Sequence, residues 1–232
     1  MKRFYTNVDV AAVDAGWEVR LDGRAVRSPA KAPLPFATPA LARAVADEWA
    51  AQGDQVAPRT MPLMQLAATA VDVIGATREA VIADVARYAE TDLLCYRAEH
   101  PRELVERQAR VWQPLLDWAM LRYDAPLHVC AGLMPQPQPE AATRALRHAV
   151  AAHDDWMLAA LQSATSACGS LVVALALLER RLDAAEAFDA SQLDENYQIE
   201  QWGEDPEATT RRAGLRADIE AARRFADLLR TA

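Results

Sequence analysis

The hydrophobic pattern changes period early in this chain, and that change limits the folds open to it. Up to about residue 36 the runs FYTNVDV, WEVRL and RAVRSP alternate apolar and polar side chains, as half-buried strands do. Asp22-Gly23 sits between the second and third runs, and such a pair favours a type I′ hairpin turn, which needs positive φ at both central residues. Trp17, Val19 and Leu21 then share one sheet face. From Thr38 the spacing becomes helical: TPALARAVADEWAAQG offers Thr38 as N-cap, Pro39 at the first helical position and Gly53 at the exit. On that helix Leu41, Val45 and Trp49 fall on one side, which predicts a core role for Trp49.

Beyond Pro58 nearly every segment has helical spacing, from PLMQLAATAVDVI to a final helix whose Leu215, Ile219, Ala222, Ala226 and Leu229 form one stripe. The Pro-rich stretch from Gly132 to Glu140 reads as a loop among helices. The expected architecture is therefore α+β: a small β-rich N-terminal domain with one packed helix over residues 1–58, and a larger all-α domain over 59–232.

Composition narrows the function classes. The 232 residues are 52% hydrophobic, enough for a substantial core, and the formal net charge of -8 argues against nucleic-acid binding, which needs clustered Lys and Arg. The longest apolar run, LVVALALL at Leu171 to Leu178, is far short of the roughly 20 residues that span a bilayer. Cys95, Cys130 and Cys168 are odd in number and scattered, so they read as free core thiols in a reducing compartment.

The usual catalytic signatures are missing. The chain has no G-x-x-x-x-G-K-[ST] phosphate loop, no G-x-G-x-x-G and no G-x-S-x-G elbow. Its four histidines include no i, i+4 pair suited to a shared metal. These observations predict a protein that is not an enzyme and uses no cofactor, metal or nucleotide.

The acids are unevenly spread. Between Leu182 and Thr210 there are nine carboxylates and no Lys or Arg, bracketed by Arg180, Arg181, Arg211 and Arg212. Several have ordinary helical roles. Ser191 with Asp194 reads as a capping box, Asp205 as an N-cap before Pro206, and Glu207 as a partner of the helix dipole. On a helix through this region Glu195, Gln198, Ile199 and Trp202 stand at i, i+3, i+4 and i+7, so they share a stripe. A carboxylate, an amide, an aliphatic chain and an indole together suit a docking surface. Against that stand a plain solvated helix face over core Ile199 and Trp202, and an enzyme using a carboxylate pair such as Glu200 and Glu204.

The order Leu193-x-Glu195-x-x-Gln198-x-x-x-Trp202-Gly203 resembles the C-terminal signature of the assembly chaperone family for the F₁ sector of ATP synthase. KRFY at Lys2 to Tyr5, LDGR at Leu21 to Arg24, Glu48-Trp49 with Gln52, MPL at Met61 to Leu63, TDLLCYR at Thr91 to Arg97 and WQPLLDWA at Trp112 to Ala119 are similar to that family as well. Gln113 departs from the acid expected before the Pro. The resemblance implies a two-domain molecular chaperone without catalysis that binds the free α subunit and prevents its aggregation before α/β assembly. It also implies partner contacts by Glu195, Gln198, Trp202 and Glu204. A helical scaffold without a specific client is the alternative. With KRFY directly at the start of the sequence, the expectation is a bacterial cytoplasm; the chain is also expected to be a monomer.

Overall fold

The computed structural model describes residues 1–132, 136–203 and 205–231. The chain opens with an antiparallel sheet of strands β1 (Val8–Val13), β2 (Gly16–Leu21) and β3 (Arg24–Ala25), in that spatial order. Val8 pairs with Leu21 and Val13 with Gly16. Asp22 and Gly23 both take positive φ, 48° and 80°, as the turn between β2 and β3 requires. The Asp22 carboxylate also accepts from the amides of Thr6 and Asn7, which fastens the N-terminal segment over the turn. The third strand is shorter than its run suggested, because only Arg24 and Ala25 join the ladder.

Gly16 is required by close approach. The chain passes Phe36 through paired backbone bonds between Trp17 and Phe36, and a Cβ on Gly16 would lie 2.5 Å from the Phe36 carbonyl oxygen. Val19 and Leu21 are buried on the face that meets helix α1 (Pro39–Ala50). Thr38 caps that helix, its Oγ1 accepting from the Leu41 amide at 3.2 Å. Trp49 differs from its expected core placement: it is half-buried, with its ring edge-on to Tyr5 at 5.6 Å and its Nε1 shielded from water without a hydrogen-bond partner.

Glu48 explains why the sheet-bearing unit continues past residue 58. Helix α2 (Pro62–Thr69) has no side-chain cap of its own, and the Glu48 carboxylate supplies one, accepting from Leu63 N at 2.8 Å and Met64 N at 2.9 Å. Burial pushes the Glu48 carboxyl above its ordinary range, and these two amides oppose the shift. The first compact unit comprises Met1–Arg78 together with Asp154–Ala160 and Arg224–Ala232, where the sequence suggested a boundary near residue 58. Its core joins residues far apart in the chain: Trp156 lies 5.8 Å from Phe36 and stacks on Phe225 at 6.1 Å.

The second unit, Glu79–His153 with Leu161–Arg223, is mainly helical. After α3 (Gly75–Ala86) come α4 (Arg102–Tyr123), α5 (Glu140–Ala151), α6 (Asp155–Cys168), α7 (Leu171–Leu178), α8 (Ala184–Ser191), α9 (Leu193–Trp202) and α10 (Pro206–Leu229), of which the second unit leaves the start of α6 and the end of α10 to the first. It also holds a two-residue parallel pair, β4 (Tyr96–Arg97) with β5 (Cys130–Ala131), which no sequence pattern announced. Every residue of α7 is buried. Its N-terminus is closed by Ser170 and by the wholly buried Asp92, whose carboxylate accepts from Ser170 Oγ at 2.7 Å and Val172 N at 3.1 Å. Asp92 equally caps the short turn at Leu94, so the TDLLCYR segment is a hub of backbone satisfaction. The three cysteines are free and buried; burial first, then the charge of Asp92, pushes the Cys95 and Cys168 thiols up to about 12. Among the described residues no helix is long and apolar enough to cross a membrane.

Candidate functional site

Helix α9 carries the stripe read from the sequence, although it starts differently from expectation. Ser191 ends α8, its Oγ donating to the Phe188 carbonyl at 2.8 Å, and α9 begins at Leu193 without a side-chain cap. Asp194 is not part of a capping box. Its carboxylate accepts from Gln108 Nε2 on α4 at 2.7 Å, and burial raises its pKa above the ordinary aspartate value against that bond and the nearby Arg97. The capping box of the region lies earlier, at the start of α8. There Asp183 Oδ1 accepts from Glu186 N and Glu186 Oε2 accepts from Asp183 N, both at 2.8 Å.

One side of α9 packs inward through Leu193 and Tyr197, both buried. The Arg107 guanidinium of α4 lies over the Tyr197 ring at 5.4 Å and binds Glu200 through both terminal nitrogens, at 2.7 and 2.8 Å. That double hydrogen bond lowers the Glu200 pKa. Glu200 is therefore held as an ionised structural carboxylate, and the other half of the suggested catalytic pair, Glu204, lies outside the described residues.

The other side of α9 turns outward. Glu195, Gln198, Ile199 and Trp202 line one shallow depression of about 150 Å³, completed by Gly203, Asp205 and Ala208. Trp202 is 79% exposed, which excludes the core reading for this indole. Gly203, at φ 86°, ends α9, and Asp205 then caps α10 as expected, its Oδ1 accepting from Glu207 N at 2.9 Å and Ala208 N at 3.0 Å. Glu195 forms an ion pair with Arg211 of α10 at 3.3 Å. Of the four partner-binding candidates, the structure gathers Glu195, Gln198 and Trp202 around this depression. Among the described residues no group of three or more His, Cys, Asp or Glu side chains is placed to hold a metal ion.

Residues 2–120 match the family described as ATP12 chaperone protein. The chain belongs to the ATP12 chaperone family. Two solved structures of Atp12 from Paracoccus denitrificans, one of them a point mutant, superpose with a TM-score of 0.93 at 40% and 39% identity, covering 99% of this chain and 98% of theirs. A structure from Agrobacterium tumefaciens gives a TM-score of 0.94 at 42% identity over 99% of this chain and 86% of that one. The mitochondrial protein atp12 of Schizosaccharomyces pombe is 25% identical over 214 residues, spanning 87% of this chain and 74% of its own. The small N-terminal sheet with a larger helical part is thus the ATP12 fold.

Within this ATP12 chaperone the family match stops at residue 120, well before α9. Trp112, inside the matched part, is fully buried and reaches the α8 carbonyl of Ala190 with its Nε1 at 2.8 Å, which braces the end of α8 that leads into α9. The unexpected Gln113 bonds Asp117 one turn along the exposed face of α4. Arg107 was missed from sequence, because its partner Glu200 is 93 residues away.

Proposed function

We propose that this ATP12 chaperone serves assembly of the F₁ sector of ATP synthase, holding the free α subunit through the outer face of α9 before α meets β. The observation that carries the reading is the Trp202 indole, 79% exposed on a face that also presents Glu195 and Gln198. A large aromatic left in water beside polar groups is typical of the anchors that dominate protein interfaces. A free α subunit, for its part, exposes apolar surface meant for β, and a large exposed apolar patch promotes self-association.

In this reading Trp202 supplies the apolar anchor, while Glu195, Gln198 and Glu204 select the client through polar and charged contacts. Rim charges set on-rate and specificity more than raw affinity, which suits a partner that must release. The chaperone does this as a monomer in a bacterial cytoplasm, without nucleotide and without catalysis.

Co-purification with free α subunit at matched amounts of folded protein tests the proposal. Trp202→Ala, at an exposed position, is expected to change melting little, since exposed substitutions stay within about ±0.5 kcal/mol, yet to weaken capture of α; Glu195→Lys is expected to weaken capture too, with some loss of stability because it sets a second cation beside Arg211. Equal capture by wild type and both variants would show that the client docks elsewhere.

A further inference from the structure

The inward-leaning flank of α9 borders a second and larger hollow. It is an open groove of about 590 Å³ between α4 and the α8–α9 pair. Val111 and Leu115 of α4, Leu182 before α8, and Ile199 of α9 form its apolar floor. Of these, Val111, Leu182 and Ile199 are only partly covered by the chain itself. The volume lies within the range of about 300–1,000 Å³ usual for clefts that take ligands.

The rim is mainly acidic. Glu186, Asp189 and Glu200 stand around the floor, and among the described residues the only cation lining the groove is Arg107, already bonded to Glu200. With Glu200 held by Arg107, the acid excess of the lining is carried by Glu186 and by Asp189, which has only a long pair to Arg216 outside the lining. Asp189 is more available than Glu200: its side chain is 66% exposed against 50%, and its ion pair with Arg216 is 4.0 Å long. Ile199 lines both this groove and the depression that holds Trp202, so the two hollows adjoin at that residue of α9.

We infer that this groove takes an amphipathic helical segment of the client, with apolar side chains on the floor and Lys or Arg along its edge opposite Asp189 and Glu186. The inference rests on the reading that the α9 surface holds a client, and it adds the chemistry of the segment bound. A groove between two helices with a greasy floor and a charged rim is the geometry that accepts a helix by its i, i+3, i+4 and i+7 side chains. The sign of the rim selects a basic edge and rejects an acidic one, because like charges facing each other at an interface are unfavourable.

The test uses the full chain, purified free α subunit, and Val111→Glu and Asp189→Lys variants. Both variants are expected to bind α at least about tenfold more weakly, a difference of about 1.4 kcal/mol. A photoreactive phenylalanine placed at position 111 is expected to crosslink to an α segment that combines apolar residues with Lys or Arg. Should Val111→Glu fail to fold, Asp189→Lys, at an exposed position, carries the comparison alone.

A second probe separates this inference from the proposal beneath it: a short synthetic Leu/Lys helix, set against a Leu/Glu helix of the same length. The wild-type chain is expected to bind the first and not the second, and Asp189→Lys to abolish that binding. If wild type captures no α subunit but still selects the Leu/Lys helix, the client assignment fails and the groove stands. Undiminished α capture by Asp189→Lys, crosslinking to an acidic segment, or equal binding of both helices would overturn the groove and leave the α9 docking proposal intact. Concentration-dependent dimers that Asp189→Lys dissolves would overturn it too, by making the occupant a second copy of this chain.

Discussion

Asp92 and Asp194 are both carboxylates removed from water, yet they do different things. Asp92 is fully buried and gathers donors from Leu94, Ser170 and Val172, so it replaces the capping bonds that two segments would otherwise lack. Asp194 is partly buried and receives one side-chain donor, Gln108 Nε2. Burial holds the Asp194 pKa above its unfolded value, with Gln108 and Arg97 pulling the other way. The folded chain therefore keeps this proton more tightly than the unfolded chain. The stability this contributes is fully present below the unfolded aspartate pKa and is lost as pH rises through the folded one. Asp194→Asn stays neutral and can still accept from Gln108. The stability of wild type relative to Asp194→Asn is thus expected to fall as pH is raised from about 4 to 7. Urea titrations at several pH values measure it, and a difference that grows with pH would contradict the raised pKa.

At the scale of elements, what could be read from sequence was what neighbours in sequence decide. Thr38-Pro39, Asp22-Gly23 and Asp205-Pro206 each act within a few residues, and each forms the cap or turn its composition implied. The α9 stripe was readable for the same reason, since helical spacing alone brings Glu195, Gln198, Ile199 and Trp202 to one depression. Asp194 misled because its partner is non-local, Gln108 lying 86 residues away, and Ser191 because it ends α8 with its hydroxyl on the Phe188 carbonyl instead of starting α9. The groove beside α9 was invisible because α4 supplies one wall from far along the chain. This contrast predicts a difference in stability. Asp183→Ala removes a true capping box and is expected to cost about 0.5–2 kcal/mol, whereas Ser191→Ala loses only a hydroxyl bond to the Phe188 carbonyl and is expected to cost less. Equal losses in chemical denaturation would mean that Ser191 caps after all.

At the scale of the whole molecule, the first compact unit is not completed by its own N-terminal stretch. Phe36 and Phe225 are both fully buried in it, with Trp156 set against each ring. Thr38, which caps α1 through its Oγ1, also donates from that oxygen to the Leu228 carbonyl at 2.8 Å. The period change near Thr38 marked where strands give way to helices, but it could not reveal that the sheet's helix waits for residues almost two hundred positions later. A fragment of residues 1–78 would leave Phe36 without Trp156, the Trp156–Phe225 stack unformed and the Thr38 hydroxyl without its acceptor. Losing a buried Phe alone typically costs about 3–5 kcal/mol, a large part of the roughly 5–15 kcal/mol that holds a domain together. The fragment is therefore expected to remain unfolded in isolation. Deleting residues 224–231 from the full chain is expected to strip protection from the amides of β1, β2 and α1, while α7, whose cap Asp92 lies in the other unit, keeps its slow exchange. Hydrogen exchange read by mass spectrometry decides it: native-like protection of β2 and α1 in the truncated chain would show that the first unit closes its core without Phe225.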